Sequence, residues 1–346
     1  MKKLLKHLSP LAPDDSGACS VLYEMGGVTV ICDAGGCAGN VCGFDEPRWF
    51  TKRSALFSAG LRDMDAILGR DELLVKKLSM VCEQIDARFT AVVGTPVPAV
   101  IATDMRAIER MAEKRTGLAC IALNTDGTNL YDYGEEMAYK RLFEEFVSDE
   151  YNTVKGRVGV LGATPLNTGE LTADRIKEEL SPEYGSDIIC FGLDSGIDDV
   201  IRACECERIV VIAPSGLAAA RYLNKKYNIP YDVRGCCIDK KALEAAKTLD
   251  GKKVLVIHQQ FTVNALREQI SGCEVTCGSW FKTVAAYKKE NDVHIKGEDE
   301  LVELVDNGSF DVIIADSFFR RALSTFEGQW IDLPHFAVSG RLNKDI

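Results

Sequence analysis

The chain has 346 residues and a formal net charge of −11, with 46% hydrophobic and 27% charged side chains, a composition typical of soluble globular proteins. The acidic balance and the lack of a basic run beyond the first six residues argue against a nucleic-acid-binding protein. No apolar run approaches a membrane span, and the start of the chain lacks the apolar core of a signal peptide. We therefore expect a cytoplasmic protein whose thirteen cysteines stay reduced, and an exposed set of thiols suggests an anaerobic cell.

Residues 17–49 form the most informative segment, because they contain four cysteines before the regular pattern of strands and helices begins. The apolar run Val28–Ile31 predicts a buried strand, and Cys32 at its end is expected to point into the core. Cys37 then lies on a glycine-rich loop at the carboxyl end of that strand, where open α/β sheets bind ligands. Cys19 precedes the strand and Cys42 follows five residues after Cys37, so these three thiols are expected to meet around a metal group.

Other interpretations of these three cysteines stay open at this point. They could be ordinary small, buried thiols of a reduced protein. Zinc is the competing metal, but no second compact Cys-x₂-Cys pair completes a tetrahedral site in this chain. An iron–sulfur cluster held jointly with another subunit explains the incomplete ligand set better than zinc does.

The rest of the chain alternates strands and helices in three blocks. The first block has predicted helices at 51–69, 71–88, 104–116 and 134–147, with strands at 89–93 and 118–123. The second has strands at 157–161, 187–191 and 208–213, and helices from 172, at 196–203 and at 217–227. The third has strands at 253–257, 274–277 and 311–315, and helices at 240–249, 262–270 and 298–307. This predicts three Rossmann-like α/β domains with parallel sheets, at residues 1–150, 151–239 and 240–346.

Two polar residues at predicted strand ends are candidates for a catalytic cleft. His258 and Asp316 each follow a strand of the third block, so both are expected at the carboxyl edge of its sheet. A helix cap or a hydrogen-bonded loop residue is the competing interpretation for each. The remaining close cysteines form isolated pairs that we interpret as structural or incidental: Cys204 with Cys206, Cys236 with Cys237, and Cys273 with Cys277.

Two further segments bear on partners. The chain has neither a G-x-x-x-x-G-K-[ST] nor a G-x-G-x-x-G segment, so it is not expected to be a P-loop ATPase or a protein that binds dinucleotides through that fingerprint. Residues 45–49 carry Arg48 and Trp49, which suit a contact with a partner protein. A plain loop leading into a helix is the alternative for this segment.

The order of these features resembles the component 1 family of nitrogenase-like oxidoreductases. A cysteine, a strand and a Gly-Gly-Cys turn come first, and Pro214-Ser215-Gly216 lies in the second block. The family includes the nitrogenase molybdenum–iron protein subunits, the dark-operative protochlorophyllide reductase subunits and the reductive cyclase for the methanogens' nickel tetrapyrrole. The resemblance implies an iron–sulfur cluster at the interface of two homologous subunits, with ligands at the positions of Cys19 and Cys37. Pro96 occupies the position of a third cysteine, so either Cys42 replaces that ligand or the cluster is a smaller one.

The resemblance also implies a function. A subunit of this kind receives electrons from a separate, ATP-hydrolysing iron–sulfur reductase through a cluster, [4Fe–4S] or larger and P-cluster-like. It passes them to a small-molecule substrate in a cleft. Its partner would be a second copy or a paralogous subunit. No match exists to the residues that hold the nitrogenase catalytic cofactor, which argues against dinitrogen reduction. The alternatives are a scaffold or carrier for cluster assembly and an iron-free module that binds a small molecule.

Overall fold

The computed structural model describes residues 5–343, so residues 1–4 and 344–346 at the ends of the predicted outer domains lie outside it. Within the described residues the chain forms three sheets, and every strand pair in them is parallel. This confirms the predicted class, α/β with three parallel sheets. No helix between residues 5 and 343 is both long and apolar enough to cross a bilayer.

The first sheet has the strand order β2-β1-β3-β4. Its strands are β1 (Val28–Ile31), β2 (Ala55–Ser58), β3 (Thr90–Val93) and β4 (Cys120–Leu123). Its helices are α1 (Asp14–Leu22), α2 (Gly36–Asn40), α3 (Asp63–Leu68), α4 (Asp71–Cys82), α5 (Pro96–Val100), α6 (Met105–Thr116) and α7 (Tyr131–Phe146). Because parallel strands end at one edge, α2, α3 and α5 all begin at the carboxyl edge of this sheet.

The predicted helix over residues 51–69 is wrong. Ala55–Ser58 is instead the edge strand β2, which pairs with β1 from Val28↔Ala55 to Ile31↔Ser58. Gly60 follows with a φ of +58°, a left-handed conformation that interrupts a helix, and only the short α3 remains of the predicted element. Hydrogen bonding along the sheet overrides the helical pattern here, as tertiary context often does.

The second and third sheets follow in chain order. The second, β6-β5-β7-β8, contains β5 (Val154–Leu161), β6 (Ile188–Cys190), β7 (Cys206–Val211) and β8 (Tyr231–Val233), with helices α8 (Pro165–Thr168), α9 (Asp174–Tyr184), α10 (Ile197–Ile201) and α11 (Leu217–Tyr227). The third, β11-β10-β9-β12-β13, contains β9 (Lys253–Ile257), β10 (Glu274–Ser279), β11 (Val293–His294), β12 (Val312–Ala315) and β13 (Gln329–Asp332), with helices α12 (Lys240–Lys247), α13 (Gln260–Gln269), α14 (Glu298–Gly308) and α15 (Phe336–Ser339). The short strands β8, β11 and β13 carry too few apolar residues for sequence alone to predict them.

One hydrophobic cluster spans the first two sheets, because it includes Ile31 of β1 and Val211 of β7 together with side chains of α1, α7 and α11. Helices α1 and α7 cross at two glycines. A Cβ on Gly17 would lie 1.8 Å from the Tyr131 carbonyl oxygen, and one on Gly134 would lie 1.7 Å from the Asp14 carbonyl oxygen. This close crossing holds α1 against the first sheet. The domain boundaries at 150/151 and 239/240 stay predictions.

Candidate metal centre

Cys19 lies on α1, which is buried along its whole length. Its side chain is 1% exposed and packs in the cluster shared by the first two sheets. Asp14 and Asp15 occupy the first turn of the same helix, where carboxylates interact favourably with the helix dipole. Cys19 therefore lies on a buried helix, on the interior side of the first sheet's carboxyl edge.

Cys37 and Cys42 lie on two consecutive turns at the carboxyl end of β1. Cys37 belongs to α2, and Cys42 belongs to the π-helical turn Val41–Asp45 that continues it. Asp33 fixes the start of α2, since its carboxylate accepts a hydrogen bond from the Ala38 amide at 2.8 Å. Both thiols are only partly buried. Single π-helical turns occur often at functional sites, and this one presents a thiol at the sheet edge.

Residues that directly follow β1 and β3 lie near these cysteines. Thr95 follows β3, and its hydroxyl donates to the Cys32 carbonyl oxygen at 2.8 Å. The same side chain partly offsets the rise in the pKa of the Cys37 thiol. Cys42 is close enough to Cys19 for the two ionised thiols to repel each other. Cys32 itself is 2% exposed and packs in the core of the first sheet, as predicted.

The surroundings of the three thiols oppose the thiolate form. Burial raises the pKa of the Cys19 thiol well above its ordinary value, and Asp15 and Glu46 raise it further. Burial likewise raises the pKa of Cys37 and the pKa of Cys42, each beside acidic groups. Burial also raises the pKa of Asp15 to about 7, with Asp14 adding to the shift. Positively charged iron is the kind of group that would reverse this preference, because a bound metal deprotonates a coordinating thiol.

The rim of this site is open. A Cβ on Gly35, Gly36, Gly39 or Gly43 would meet nothing within 4 Å among the described residues, so there is free space beside each of them. Only Gly35, with φ +114°, needs the conformational freedom of glycine. The Oδ1 atom of Asp15, buried behind the rim, has no hydrogen-bond partner within residues 5–343. The open space at the rim, the two partly exposed thiols and the buried Asp15 oxygen without a partner are features that fit a bound cluster.

The three sulfur atoms do not all lie within 4.8 Å of one another, as judged from the described residues. Such spacing does not suit a single ion with all three thiolates as ligands. It is compatible with an iron–sulfur cluster, whose several irons are each held by a different cysteine. The donor set thus fits a cluster better than a zinc ion.

The sequence and the fold together identify the family. Residues 16–238, more than half of the chain, match the family described as nitrogenase component 1 type oxidoreductase. The chain belongs to this family. A solved structure of nitrogenase Cp1 at pH 6.5 matches with a TM-score of 0.71 and 12% identity, over 96% of this chain and 87% of that chain. Another, nitrogenase Cp1 at pH 5, matches with a TM-score of 0.70 and 14% identity, over 99% of this chain and 86% of that chain. No curated protein matches the chain.

Pro96, which the family resemblance implies is at the position of a third cysteine, is the first residue of α5. Proline offers no ligand atom, and its ring instead packs on Gly127, where a Cβ would lie 2.7 Å from the Pro96 Cγ. The neighbouring Thr95 contacts Cys37. Pro96 therefore supplies no ligand to a cluster.

Exposed apolar side chains flank the same edge. Phe44 on the π-helical turn is 75% exposed, Ile67 on α3 is 74% exposed, and Val100 on α5 is 84% exposed. Exposed apolar groups around a polar site are typical of protein interfaces. Trp49 is 40% exposed and stays a candidate contact, whereas Arg48 is fully buried. The proposed partner contact by Arg48 is wrong, because its guanidinium is bound by the carboxylates of Glu46 and Glu24.

The candidate cleft residues His258 and Asp316 lie at the carboxyl edge of the third sheet, and both are buried. The His258 ring is 4.4 Å from the His335 ring, and burial lowers the pKa of His258 to about 4. Asp316 accepts hydrogen bonds from the Ser339 hydroxyl at 2.5 Å and the His335 amide at 3.0 Å. These contacts favour structural roles, and a catalytic role for either residue stays a prediction.

A buried polar group that sequence reasoning missed lies beside these residues. Glu135 of α7 contacts the Thr164 hydroxyl and accepts a hydrogen bond from the Asn167 amide at 2.6 Å. The Tyr131 hydroxyl donates to Asn167 at 2.9 Å and lies 3.4 Å from Nε2 of His335. Burial raises the pKa of Glu135 to about 8, so its carboxyl is mainly neutral at pH 7. Tyr131 and Glu135 share one helical face four residues apart, which is the only trace of this network in the sequence.

Proposed function

We propose that this chain is the catalytic component of a nitrogenase-like oxidoreductase that receives electrons through an iron–sulfur cluster shared between two subunits and reduces a small molecule. The observation that carries the proposal is the pair of partly exposed thiols, Cys37 and Cys42, on an open edge flanked by exposed apolar side chains. Membership of an oxidoreductase family supports it.

The residues of the chain have distinct parts in this proposal. Cys19, Cys37 and Cys42 bind the cluster, and the rim of glycines leaves room for it. When bound, the cluster supplies single-electron transfer. Two thiolates from each subunit would complete a [4Fe–4S] centre, and three from each would suit a larger cluster. In addition to burial, Asp15 and Asp33 lie close enough to the Cys37 thiol to raise its pKa, a preference that bound iron would reverse.

The partner would cover the apolar edge around Phe44, Ile67 and Val100. A second copy or a paralogous subunit fits, because either brings the cysteines needed to complete the cluster. The chain carries no P-loop motif, which supports a separate ATP-hydrolysing iron–sulfur protein as the reductase, docking near the cluster. A location in the cytoplasm stays a prediction.

A cleft next to the cysteines suits the substrate. It has a volume of about 700 Å³, within the usual range for small-molecule sites, and its lining includes Phe44 and Asp45 of the π-helical turn, Asn129 and Trp280. Cys42 lies on the same turn. Electrons from a cluster at the rim would therefore travel a short path to a molecule in this cleft.

The decisive experiment is anaerobic purification with iron and sulfide counting and electron paramagnetic resonance, on the wild-type chain and on Cys37→Ala. The variant should lose its visible absorbance and most of its iron, and its dimer fraction should fall because the cluster contributes assembly energy. Cys273→Ala, a partly buried cysteine before β10, is the matched control and should keep both. Full iron content in Cys37→Ala would exclude the proposed ligand set.

A scaffold or carrier for cluster assembly is the alternative function. The closed packing around His258 and Asp316 favours it, since both residues are buried where a cleft at the third sheet was expected. Turnover of substrate with reductase and ATP separates the two functions. A catalytic component sustains turnover, whereas a carrier transfers its cluster to an acceptor protein and shows none.

A further inference from the structure

A second group of side chains of the kind that bind metals lies between the second and third sheets, away from Cys19, Cys37 and Cys42. The sulfur atoms of Cys236 and Cys237 are 3.6 Å apart. With a carboxylate oxygen of Glu179 on α9, they form a trio whose ligand atoms all lie within 4.8 Å of one another. Sequence reasoning treated the two cysteines as isolated, because Glu179 is far away along the chain.

The fold holds this trio in place. Cys237 adopts φ +59°, a left-handed conformation that residues other than glycine, asparagine and aspartate rarely use. Its amide donates to Oε2 of Glu179 at 2.8 Å. Arg175 binds the other oxygen of Glu179 at 3.1 Å and donates to the Ile238 carbonyl oxygen at 2.6 Å. The carboxylate and the two thiols are thus oriented before any ligand arrives, as outer contacts do in metal sites.

The donor set and its dimensions match one class of ion. Two thiolates and a carboxylate are common ligands of zinc, and with Zn–S bonds of about 2.3 Å at tetrahedral angles two sulfurs lie roughly 3.8 Å apart. The observed 3.6 Å is close to that edge. Cys236 and Cys237 are 9% and 7% exposed, while the Glu179 side chain is 36% exposed and leaves an access route from solvent.

We propose that Cys236, Cys237 and Glu179 bind a thiophilic divalent cation of the zinc class, with water in the fourth position. Each thiol loses its proton to solvent on binding, so no oxidant is needed. The site joins α9 of the second sheet to the segment that leads into α12. A bound ion would therefore link the second sheet to the start of the third block. This link would be independent of the iron–sulfur cluster proposed at Cys19, Cys37 and Cys42.

The test is an anaerobic titration of the full-length chain with Zn²⁺, measured by competition with a colorimetric chelator, and with Co²⁺ as a spectroscopic substitute. The wild type should bind a single tight ion, release protons, and show cobalt–thiolate charge-transfer absorption. The double variant Cys236→Ser with Cys237→Ser should lose that ion and that absorption. Glu179→Gln keeps both thiols and should weaken zinc binding at least about tenfold. A tenfold loss is the lower end of what is observed when a residue that only contacts a metal ligand is replaced.

Cys37→Ser is the matched control, because it removes a proposed iron ligand and should leave this zinc site intact. Thermal melts of each variant exclude unfolding as the cause of lost binding, and Glu179→Gln decides the outcome if the double variant does not fold. Equal zinc affinity in the wild type and the double variant would refute the proposal. So would a reduced wild-type chain that binds no zinc.

Discussion

Two regions at the carboxyl ends of strands differ in how they are closed. The cysteine edge, formed by Cys19, Cys37 and Cys42, has an open rim with two half-buried thiols, Cys37 and Cys42, beside the buried Cys19. The polar junction, formed by Tyr131, Glu135, Asn167, His258 and His335, is buried and satisfied mainly by its own hydrogen bonds. The first is arranged to receive something from outside, and the second holds the sheets together.

Charge separates the two regions as well. At the cysteine edge, acidic groups and burial oppose ionisation of the thiols, a preference that a cation can reverse. At the polar junction, burial keeps Glu135 protonated and His258 neutral near pH 7, so the junction carries little charge. Its polar atoms are hydrogen-bonded except Nδ1 of His258 and Nδ1 of His335, which have no partner among the described residues. A neutral, hydrogen-bonded network of this kind stabilises a fold without needing a ligand. Helix α7 connects the regions, since it packs on α1 and carries Tyr131 and Glu135.

The largest expected effect comes from the crossing of α1 and α7. Gly134→Ala places a Cβ only 1.7 Å from the Asp14 carbonyl oxygen, so α1 or α7 must move. Overpacking of this kind costs about 3 kcal/mol or more. We expect a matching loss in the free energy of unfolding by denaturant titration, together with loss of iron, because α1 carries Cys19.

Gly36→Ala is the control for that change. A Cβ there meets nothing within 4 Å and its φ is not positive, so the stability of the isolated subunit should change by less than about 0.5 kcal/mol. If the two glycine substitutions destabilised the chain equally, the crossing would not be what positions the cysteine edge.

Cys42→Ala has a smaller but more selective effect, because it decides the cluster type. Cys42 is predicted from spacing alone, whereas for Cys19 and Cys37 the family resemblance also implies a ligand role. Loss of iron from the variant would favour the larger cluster with three thiolates from each subunit. A retained cluster with a [4Fe–4S] signal in electron paramagnetic resonance would favour two from each. The fold should be unchanged in either case, since Cys42 is only partly buried.

Much of this could be predicted from sequence because it is local. The parallel strands follow from apolar runs, and Cys37 was predicted at a sheet edge because it directly follows β1. Helix α1 was not predicted, because all nine of its residues are buried. Such a helix lacks the separation of an apolar and a polar face by which a helix is predicted from sequence. The conformation of α1 depends on α7, which is more than a hundred residues away. The strand β2 was missed because its partner β1, not its own pattern, decides its conformation.

The polar junction was missed for a related reason, and the same reason explains why Cys236 and Cys237 were interpreted as an isolated pair. A glutamate on a helix is usually at the surface, and Glu135 is buried only because the second sheet covers it. Cys236 and Cys237 become a potential site only through Glu179, which α9 supplies. Sequence pattern predicts what lies at the end of a strand, but not which distant carboxylate will face it.

The smallest effect we predict is a pH dependence that belongs to the polar junction. Glu135 ionises near pH 4.5 in the unfolded chain and near pH 8 in the folded one, so the folded state retains a proton that the unfolded state loses between these values. Stability from this residue is therefore complete below pH 4.5 and is lost as pH rises toward 8, by up to about 1.4 kcal/mol per pH unit. His258, with its lowered pKa, has the opposite slope between pH 4 and 6.5.

The useful window is thus pH 6.5 to 8, above the ordinary pKa of histidine, and what remains of the His258 contribution there is present in both proteins compared. Over that window the wild type should lose up to about 2 kcal/mol more stability than Glu135→Gln, measured as the free energy of unfolding in denaturant at several pH values. Contributions from Asp15 and Asp132, whose pKa values are also raised by burial, are present in both proteins and cancel in the difference. Glutamine keeps the hydrogen-bonding groups of a protonated carboxyl but cannot ionise. Identical slopes in the two proteins would mean that Glu135 is charged in the folded chain, and the polar junction would then no longer differ in charge from the cysteine edge.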